Sequence, residues 1–216
     1  MNDVFESAVL SRLPWIEHGF GARDSAISQE GMASLVQVHS SVCLVATQPQ
    51  CIGEGDALVT ASEGLAISVR TADCFPILLA DKSRRAIAAI HAGWRGTADG
   101  IVTKVVSKMR ALYGAEPQDM FAAIGPGIRV CCYEVGEEVA RRFGLDHSGR
   151  VDLESVNRQA LVKMGVPECQ IGVLGLCTFC DSRFYSFRRE KEKAGRMISY
   201  IRLRPDTRED TTGAEP

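Results

Sequence analysis

Two histidines and one cysteine each stand at the end of a strand-like stretch in the first half of the chain. His39 closes the run Leu-Val-Gln-Val-His, Cys74 follows residues 65–70, and His91 follows residues 86–90. Because strand ends bring side chains from distant parts of a chain to one edge of a sheet, these three residues can meet. Two imidazoles and a thiolate suit a catalytic zinc ion with an open fourth position, and a thiolate disfavours hard ions such as Mg²⁺.

The same residues leave alternatives open. The separations, 35 residues from His39 to Cys74 and 17 from Cys74 to His91, match no zinc-finger spacing, so the spacing alone favours two ordinary histidines and a buried thiol over a metal site. Cys74 and His91 also suit the metal-free thiolate–imidazolium pair of a cysteine hydrolase or transferase, although that leaves His39 without a role. Asp73 is a candidate acceptor for the second ring N–H of a ligand histidine, or a turn-forming carboxylate.

Two segments are candidates for binding an anion or a base. Gly93-Trp94-Arg95-Gly96 precedes a predicted helix, where free backbone N–H groups and the Arg95 guanidinium suit a phosphate or carboxylate. A tight turn with Trp94 in the core is the alternative. Arg188 and Arg189 follow three aromatic residues, Phe184, Tyr185 and Phe187, which indicates either a base-binding pocket or a solvated basic turn.

Four of the eight cysteines form two close pairs in the second half of the chain. Cys132, next to Cys131, is a candidate to face a pocket, although a packed thiol is the commoner case. Cys177 and Cys180 form a C-x-x-C pair, which is typical of redox or metal sites. A turn predicted at residues 181–183 argues against a thioredoxin-like site, where a helix starts at the pair.

The composition indicates a soluble globular domain. The chain has 216 residues, 45% of them hydrophobic, which is enough for one domain with a core that needs no disulfide bonds. The net charge of −2 argues against a nucleic-acid partner. No apolar run is long enough to span a membrane, and the acidic N-terminus does not resemble a secretory signal. We therefore expect a cytoplasmic protein with reduced thiols.

The hydrophobic pattern predicts an α+β fold with a mixed β-sheet core. Short apolar runs predict strands, which lie at residues 65–70, 77–80, 86–90, 121–124, 171–176 and 197–203. Helices are predicted from Ile101 to a stop at Gly114, with Thr97 as a candidate cap, over residues 134–143, and from an Asp152 cap to Met164. Residues 1–203 are expected to form one domain and residues 204–216 a flexible tail.

Seven segments together resemble the YfiH/laccase-domain family, also described as polyphenol oxidoreductases or as FAMIN-like purine nucleoside phosphorylases. The similarity runs from about residue 18 to about residue 203. Its motifs are Gln-Val-His (37–39), Gly-Asp-Ala-Leu-Val-Thr (55–60), Thr-Ala-Asp-Cys-Phe-Pro (71–76), His-Ala-Gly-Trp-Arg-Gly (91–96), Ala-Ile-Gly-Pro (123–126), Cys-Tyr-Glu-Val (132–135) and Phe-Arg-Arg (187–189).

The resemblance implies a single domain in which helices cover mixed sheets. It also implies that His39, Cys74 and His91 are both the catalytic residues and the metal ligands, normally for Zn²⁺. The implied reaction is phosphorolysis of purine nucleosides (adenosine, inosine, guanosine or methylthioadenosine), with adenosine deamination as a related activity. Other members of the family are described as copper-dependent laccases or linked to editing of peptidoglycan precursors, and these remain alternatives.

The expected partners are small molecules, a purine nucleoside and phosphate. Arg95 is the first candidate to neutralise the phosphate, and Arg23 and Arg188 are further candidates. The family usually has a longer stretch, with a helix, where this chain has only residues 24–36. We therefore expect part of the pocket wall to be missing or supplied by another chain.

Overall fold

A computed structural model describes residues 4–83 and 85–205 of the chain. The strands, in chain order, are β1 (Val4–Phe5), β2 (Ile16–Gly21), β3 (Met32–Val36), β4 (Cys43–Val45), β5 (Cys51–Glu54), β6 (Ala57–Thr60), β7 (Ala66–Thr71), β8 (Phe75–Asp81), β9 (Ala86–Ala92), β10 (Met120–Ile124), β11 (Glu134–Val135), β12 (Gly149–Arg150), β13 (Ile171–Val173) and β14 (Met197–Leu203). The α-helices are α1 (Trp94–Ala98), α2 (Ile101–Tyr113), α3 (Glu137–Arg141), α4 (Leu153–Lys163) and α5 (Phe187–Glu190).

Most strands belong to two six-stranded sheets. The first has the order β1-β2-β14-β7-β3-β5, and the second has the order β13-β10-β8-β9-β6-β4. Both are mixed: β3 pairs in parallel with β5 and β7 in the first sheet, and β10 with β13 and β4 with β6 in the second, whereas the other pairings within these sheets are antiparallel. The mixed-sheet α+β prediction is confirmed.

The central strands β8 and β9 of the second sheet are buried on both faces, because all their residues except Asp81 and His91 are apolar. Along β8, Leu78 and Ala80 face the first sheet, while Ile77 and Leu79 face the helices. Helix α2 packs on that helical face through its buried apolar stripe. The result is three layers, with the second sheet in the middle.

The helix predictions are confirmed in part. α2 ends at Gly114, whose φ of 62° suits a glycine cap, and the Asp152 side chain accepts a hydrogen bond from the Ser155 N–H at the start of α4. Thr97 does not cap α2, because it lies inside the short helix α1. Residues 134–143 are helical only over α3, since β11 takes the first two residues to pair with β12.

Two predictions concern the C-terminal tail and membrane-spanning segments. Residues 206–216, most of the predicted tail, lie outside the described part of the chain. Within the described residues, no helix is both long enough and apolar enough to cross a membrane.

The sheet register brings three chain segments to one edge of the second sheet. In the antiparallel pair β8–β9, Pro76 lies opposite His91, so the start of β8 and the end of β9 coincide. In the pair β6–β9, Ala57 lies opposite Ile90, which brings the residue before β6 to the same place. The candidate catalytic residues lie at this edge.

Candidate active site

His39, Cys74 and His91 come together at this edge. His39 lies in the loop after β3, Cys74 in the turn between β7 and β8, and His91 near the end of β9. Their potential ligand atoms all lie within 4.8 Å of one another, and the two imidazole rings are 4.8 Å apart at an interplanar angle of 74°. The arrangement leaves Cys74 in contact with both imidazoles.

The backbone at the triad adopts conformations that most residues avoid. His39 has a φ of 59° and Asp73, which precedes Cys74, a φ of 85°. Such left-handed conformations cost free energy and persist where surrounding contacts enforce them. Gly93 approaches the site closely, because a Cβ atom there would lie 3.0 Å from the Cys74 sulfur and 3.1 Å from the His39 ring. A larger residue at 93 would displace the triad.

A fully buried carboxylate, Asp56, holds two members of the triad in place. Its Oδ1 accepts hydrogen bonds from His91 Nδ1 at 2.7 Å and from the His39 N–H at 3.0 Å. Its Oδ2 accepts from the N–H and the hydroxyl of Ser40 at 2.5 and 2.7 Å, and from the Val38 N–H at 3.3 Å. Asp56 thereby fixes the left-handed His39 loop and the orientation of the His91 ring at once.

This contact corrects the prediction for Asp73. The carboxylate of Asp73 accepts the Thr178 hydroxyl at 2.8 Å and the Arg188 N–H at 2.7 Å, and the carboxylate on a triad histidine is that of Asp56. Asp73 therefore connects the Cys74 turn to the C-terminal loops. Adjacency to Cys74 in sequence favours Asp73 for this role, whereas the register of β6 and β9 places Asp56 beside His91.

The site is a network of opposite charges. Burial favours the neutral thiol of Cys74, but the neighbouring charge of His91 and hydrogen bonds from both histidines outweigh it and lower its pKa to about 6. Burial lowers the pKa of His91, but the charge of the Cys74 thiolate and the hydrogen bond to Asp56 outweigh this effect and raise the pKa to about 9. The pKa of Asp56 is lowered to about 2, because hydrogen bonds from His91 and Ser40 outweigh the effect of its burial.

The donor set fits a zinc ion held by three protein ligands. Because Nδ1 of His91 is bonded to Asp56, Nε2 is the nitrogen left to coordinate. A carboxylate on the far nitrogen of a ligand histidine is the usual support of a metal site. His39, Cys74 and His91 would hold the ion, and three ligands leave a position for water or substrate.

A cavity of about 800 Å³ opens over the triad and is lined by cationic side chains. The predicted residues Arg95 and Arg188 both line it. Three further cations, none of them predicted as a substrate contact, join them: Arg70 from β7, and Lys191 and Arg196 from the segment between α5 and β14. Asp73 is the one carboxylate among the lining residues, so the described cavity has a strongly positive potential.

Aromatic side chains form another part of the wall. Trp94 lies under the Arg95 guanidinium at 4.3 Å, and Tyr133 lies under that of Arg188 at 5.2 Å. The pKa of Tyr133 is raised to about 12, first by burial and then by the negative charge of Cys74. Phe187 is half-exposed at the cavity. The cavity thus joins a metal-type triad, a set of cations and flat apolar surfaces.

Two predicted substrate contacts lie elsewhere. Arg23 is paired with Glu190 at 2.5 Å and stacks on Tyr185, and it lines a separate, shallow depression beside α5. Cys132, predicted as a substrate contact, does not line the cavity either; its sulfur lies 3.2 Å from that of Cys180. Of the two histidines outside the motifs, His18 is buried and accepts a hydrogen bond from the Ser7 N–H, and His147 is exposed.

Cys132 belongs to a second cluster, which consists of Cys131, Cys132, Cys177 and Cys180. We refer to it as the four-cysteine cluster. Burial favours the neutral form of Cys177, but backbone N–H groups of Arg129, Cys180 and Phe179 face its sulfur and lower its pKa to about 7. As the sequence predicted, the C-x-x-C pair lies in a turn, whereas the pair of a thioredoxin-like site lies at the start of a helix.

Comparison with known proteins identifies the family of this chain and solved structures with the same fold. Residues 21–204 match the family described as multi-copper polyphenol oxidoreductase laccase. The chain belongs to the YfiH laccase-domain family. Among solved structures, this YfiH-family chain is similar to the YfiH protein of Bacillus licheniformis, with a TM-score of 0.83 and 27% identity over 89% of this chain and 94% of that one. YlmD from Geobacillus stearothermophilus also gives a TM-score of 0.83, at 25% identity over 89% and 93% of the two chains.

Curated relatives of this YfiH-family chain carry two kinds of name. A purine nucleoside phosphorylase of Deinococcus radiodurans is 42% identical over 90% of this chain and 76% of that protein, and one of Clostridium acetobutylicum is 38% identical over 77% and 75%. A protein named adenosine deaminase RL5, from an unknown prokaryotic organism, is 38% identical over 68% of this chain and 61% of that protein. These names indicate an enzyme that acts on purine nucleosides.

Proposed function

We propose that the protein is a zinc-dependent purine nucleoside phosphorylase of the cytoplasm, acting on adenosine and on inosine, guanosine or methylthioadenosine. One observation carries the proposal: the His39–Cys74–His91 triad and five cationic side chains open into one cavity. The names of the phosphorylases from Deinococcus radiodurans and Clostridium acetobutylicum support the same reaction.

The cations suit inorganic phosphate as a substrate. Arg70, Arg95 and Lys191 have no carboxylate partner within the described residues, so their charge is available to a bound anion. Arginine offers two parallel N–H donors to a phosphate, and a cluster of such donors stabilises the charge on the attacking oxygen. A hydrolase acting with water alone needs no such cluster.

The remaining walls suit a nucleoside. A cavity of about 800 Å³ is within the range of small-molecule sites and has room for a purine, a ribose and a phosphate. Phe187 and Trp94 offer flat surfaces for the purine ring. The Tyr133 hydroxyl stays protonated at neutral pH, since its pKa is about 12, and can donate a hydrogen bond to the substrate.

The reaction balances without an external oxidant. A phosphate oxygen forms a bond to C1′ of the ribose while the bond from C1′ to the purine nitrogen breaks. The electron pair leaves with the purine, which takes up a proton, and the products are the free base and ribose 1-phosphate. The cations hold the phosphate in the attacking position, which lowers the entropic part of the barrier. Zinc held by His39, Cys74 and His91 would supply a Lewis acid next to the reacting groups.

Adenosine deamination is a second candidate, favoured by the similarity to adenosine deaminase RL5. In that reaction water adds to C6 of adenosine and ammonia leaves, so inosine forms without phosphate. The same triad would serve it, but the cationic walls of the cavity would have no role in it.

The deciding experiment is product analysis of adenosine incubated with metal-quantified protein, with and without phosphate. We expect adenine and ribose 1-phosphate only when phosphate is present, and neither product from a His39→Ala protein. Inosine formed without phosphate would establish the deaminase. Full activity of a Cys74→Ala protein would refute both zinc mechanisms.

The assay also separates the two remaining alternatives. A copper-dependent oxidoreductase would lose activity without oxygen, whereas a phosphorylase works equally well in an anaerobic chamber. A peptidoglycan-precursor hydrolase would turn over its precursor but not adenosine. If it used the Cys74–His91 pair without metal, iodoacetamide would inhibit it even after chelation.

Arg95 offers a specific test of the phosphate site. Removing one charge-assisted hydrogen bond costs about 1.5–3 kcal/mol, which corresponds to a KM for phosphate raised about 10- to 150-fold in an Arg95→Ala protein. Arg110→Ala is the matched control, because Arg110 is an exposed arginine on α2 paired with Glu116 and not a lining residue of the cavity. An unchanged KM for phosphate in Arg95→Ala would contradict the proposed role.

A further inference from the structure

The four-cysteine cluster lies outside the cavity and has no part in the proposed reaction. The sulfur of Cys180 lies 3.2 Å from that of Cys132 and 3.8 Å from that of Cys131, and Cys131 lies 3.7 Å from Cys177. All four sulfurs lie within 4.8 Å of one another. Four thiols from two distant chain segments therefore surround a single point.

The separations of 3.7 and 3.8 Å match the edges of a metal-centred tetrahedron, and the 3.2 Å separation between Cys132 and Cys180 is shorter than such an edge. With metal–sulfur bonds of about 2.3 Å, the sulfurs of a tetrathiolate site lie about 3.8 Å apart. Disulfide bonding would instead bring two sulfurs to about 2.05 Å, and all four of these cysteines are free thiols. The spread is also too small for an iron–sulfur cluster, in which inorganic sulfide and several metal ions occupy the space between the cysteines.

Backbone and side-chain hydrogen bonds support one of the two cysteine pairs, Cys177 and Cys180. The backbone N–H groups of Arg129, Phe179 and Cys180 face the Cys177 sulfur. The Arg189 guanidinium binds the carbonyl oxygens of Thr178 and Phe179, which fixes the C-x-x-C turn. Hydrogen bonds of this kind, which orient ligands and stabilise their charge, surround most protein metal sites.

We propose that the four-cysteine cluster binds one zinc-class divalent ion in a closed tetrathiolate site, separate from the triad. Four protein ligands leave no open position, which is the mark of a structural rather than a catalytic ion. Sulfur ligands in a tetrahedron select zinc over hard ions. The pairs Cys131–Cys132 and Cys177–Cys180 each supply two ligands, so the ion joins two segments that residues 133–176 separate along the chain.

The ion would stabilise the cavity walls. Both joined segments reach the cavity: Ile128 and Tyr133 flank the first pair, and Arg188 follows the second. Thr178, inside the C-x-x-C turn, donates its hydroxyl to Asp73, whose other oxygen accepts the Arg188 N–H. Loss of the ion would loosen this connection, so the cluster positions the walls without touching the substrate.

Metal analysis tests the site directly. Purified full-length protein grown with zinc is expected to contain about two zinc ions per chain, and a Cys74→Ala protein about one. Adding Cys177→Ser and Cys180→Ser to Cys74→Ala is expected to remove the remaining ion. Cys51→Ser and Cys169→Ser are matched controls, because both cysteines are exposed and lie outside the two clusters. Retention of the ion in the combined variant would overturn the proposal.

Cobalt substitution counts the ligands without disturbing the cluster. The Cys74→Ala protein, reconstituted with Co²⁺, is expected to show sulfur-to-cobalt absorption about four times that of a site with one thiolate. Weak absorption typical of nitrogen and oxygen ligands, or no bound cobalt, would overturn the proposal. This outcome does not depend on phosphorolysis, so the two proposals can fail separately.

Alkylation covers the case in which the cysteine variants fail to fold. Cys131 and Cys180 are exposed, as are Cys51 and Cys169, so a metal-free cluster would react with iodoacetamide about as fast as the controls. With zinc bound, we expect the cluster to react at least about tenfold more slowly, and chelation to remove this protection. Equal rates before chelation, or a disulfide between cluster cysteines in peptide mass spectra, would overturn the proposal.

Discussion

Replacing the Asp56 carboxylate by an amide would separate the two halves of the network that holds the triad. In the wild-type protein both oxygens accept: Oδ1 from His91 and His39, and Oδ2 from Ser40 and Val38. An asparagine side chain has one acceptor oxygen and an NH₂ group that can only donate. In either orientation of the amide in an Asp56→Asn protein, the NH₂ group would therefore face N–H donors.

The cost follows from the donors left without an acceptor. If the amide nitrogen replaces Oδ1, His91 Nδ1 and the His39 N–H lose their partner. If it replaces Oδ2, the Val38 and Ser40 N–H groups lose theirs, while the Ser40 hydroxyl can rotate to accept. At about 1–3 kcal/mol for each buried unsatisfied donor, and with some relaxation, we expect the free energy of unfolding to fall by about 3 kcal/mol. Loss of the carboxylate next to a ligand histidine is expected to weaken zinc binding about 10- to 100-fold.

Two measurements on an Asp56→Asn protein check these magnitudes. Urea unfolding is followed on metal-free protein, because a bound ion would itself shift the transition. Zinc affinity is measured by competition with a chromophoric chelator. Asp146→Asn is the control, since Asp146 is exposed. An unchanged urea midpoint together with a zinc affinity within about threefold of wild type would refute the role assigned to Asp56.

Two further predictions concern packing and pH. Gly93→Ala is expected to weaken zinc binding about tenfold, because the added methyl group would press on the Cys74 sulfur. Gly136→Ala is the control, since Gly136 also precedes a helix in extended backbone but has open space around it. Equal zinc affinities of the two variants would contradict the steric argument. Burial lowers the pKa of His18 from its ordinary value of 6.5, so the unfolded chain binds more protons and stability should fall as the pH drops below about 6.5. In urea unfolding between pH 7 and 5.5, His18→Asn should lose less stability than wild type and than His147→Asn, and parallel curves for all three proteins would refute this.

The sequence predicted the parts of the site that are marked by local pattern. Cys74 and His91 follow apolar runs that are strands in the structure, and Arg95 lies at a recognisable strand-to-helix junction. Such signals are contained within a few residues. The mixed α+β fold was predictable for the same reason, because most of its strands are short apolar runs with clear ends.

The contacts that sequence reasoning missed depend on pairing between distant strands. Asp56 reaches His91 only through the register of β6 and β9. The four-cysteine cluster depends on the parallel pair β10–β13, which continues as a bridge between Gly127 and Cys177. Arg23 is a candidate from sequence to neutralise the phosphate, but it pairs with Glu190, which is distant in sequence, and lies outside the cavity. Periodicity along the chain contains no information on any of these pairings.

The position of β14 determines when the molecule can finish folding. This strand, the last of the described chain, lies between β2 and β7 and pairs with both. During synthesis, β2 and β7 emerge early but have no common partner until residue 203 has been made. Their edges stay unpaired in that interval, and unpaired strand edges are where nascent chains associate wrongly. The triad residues lie within residues 39–91, but the turn that carries Cys74 is tied through Asp73 to Thr178 and Arg188, so the site is completed at the same late stage as the first sheet.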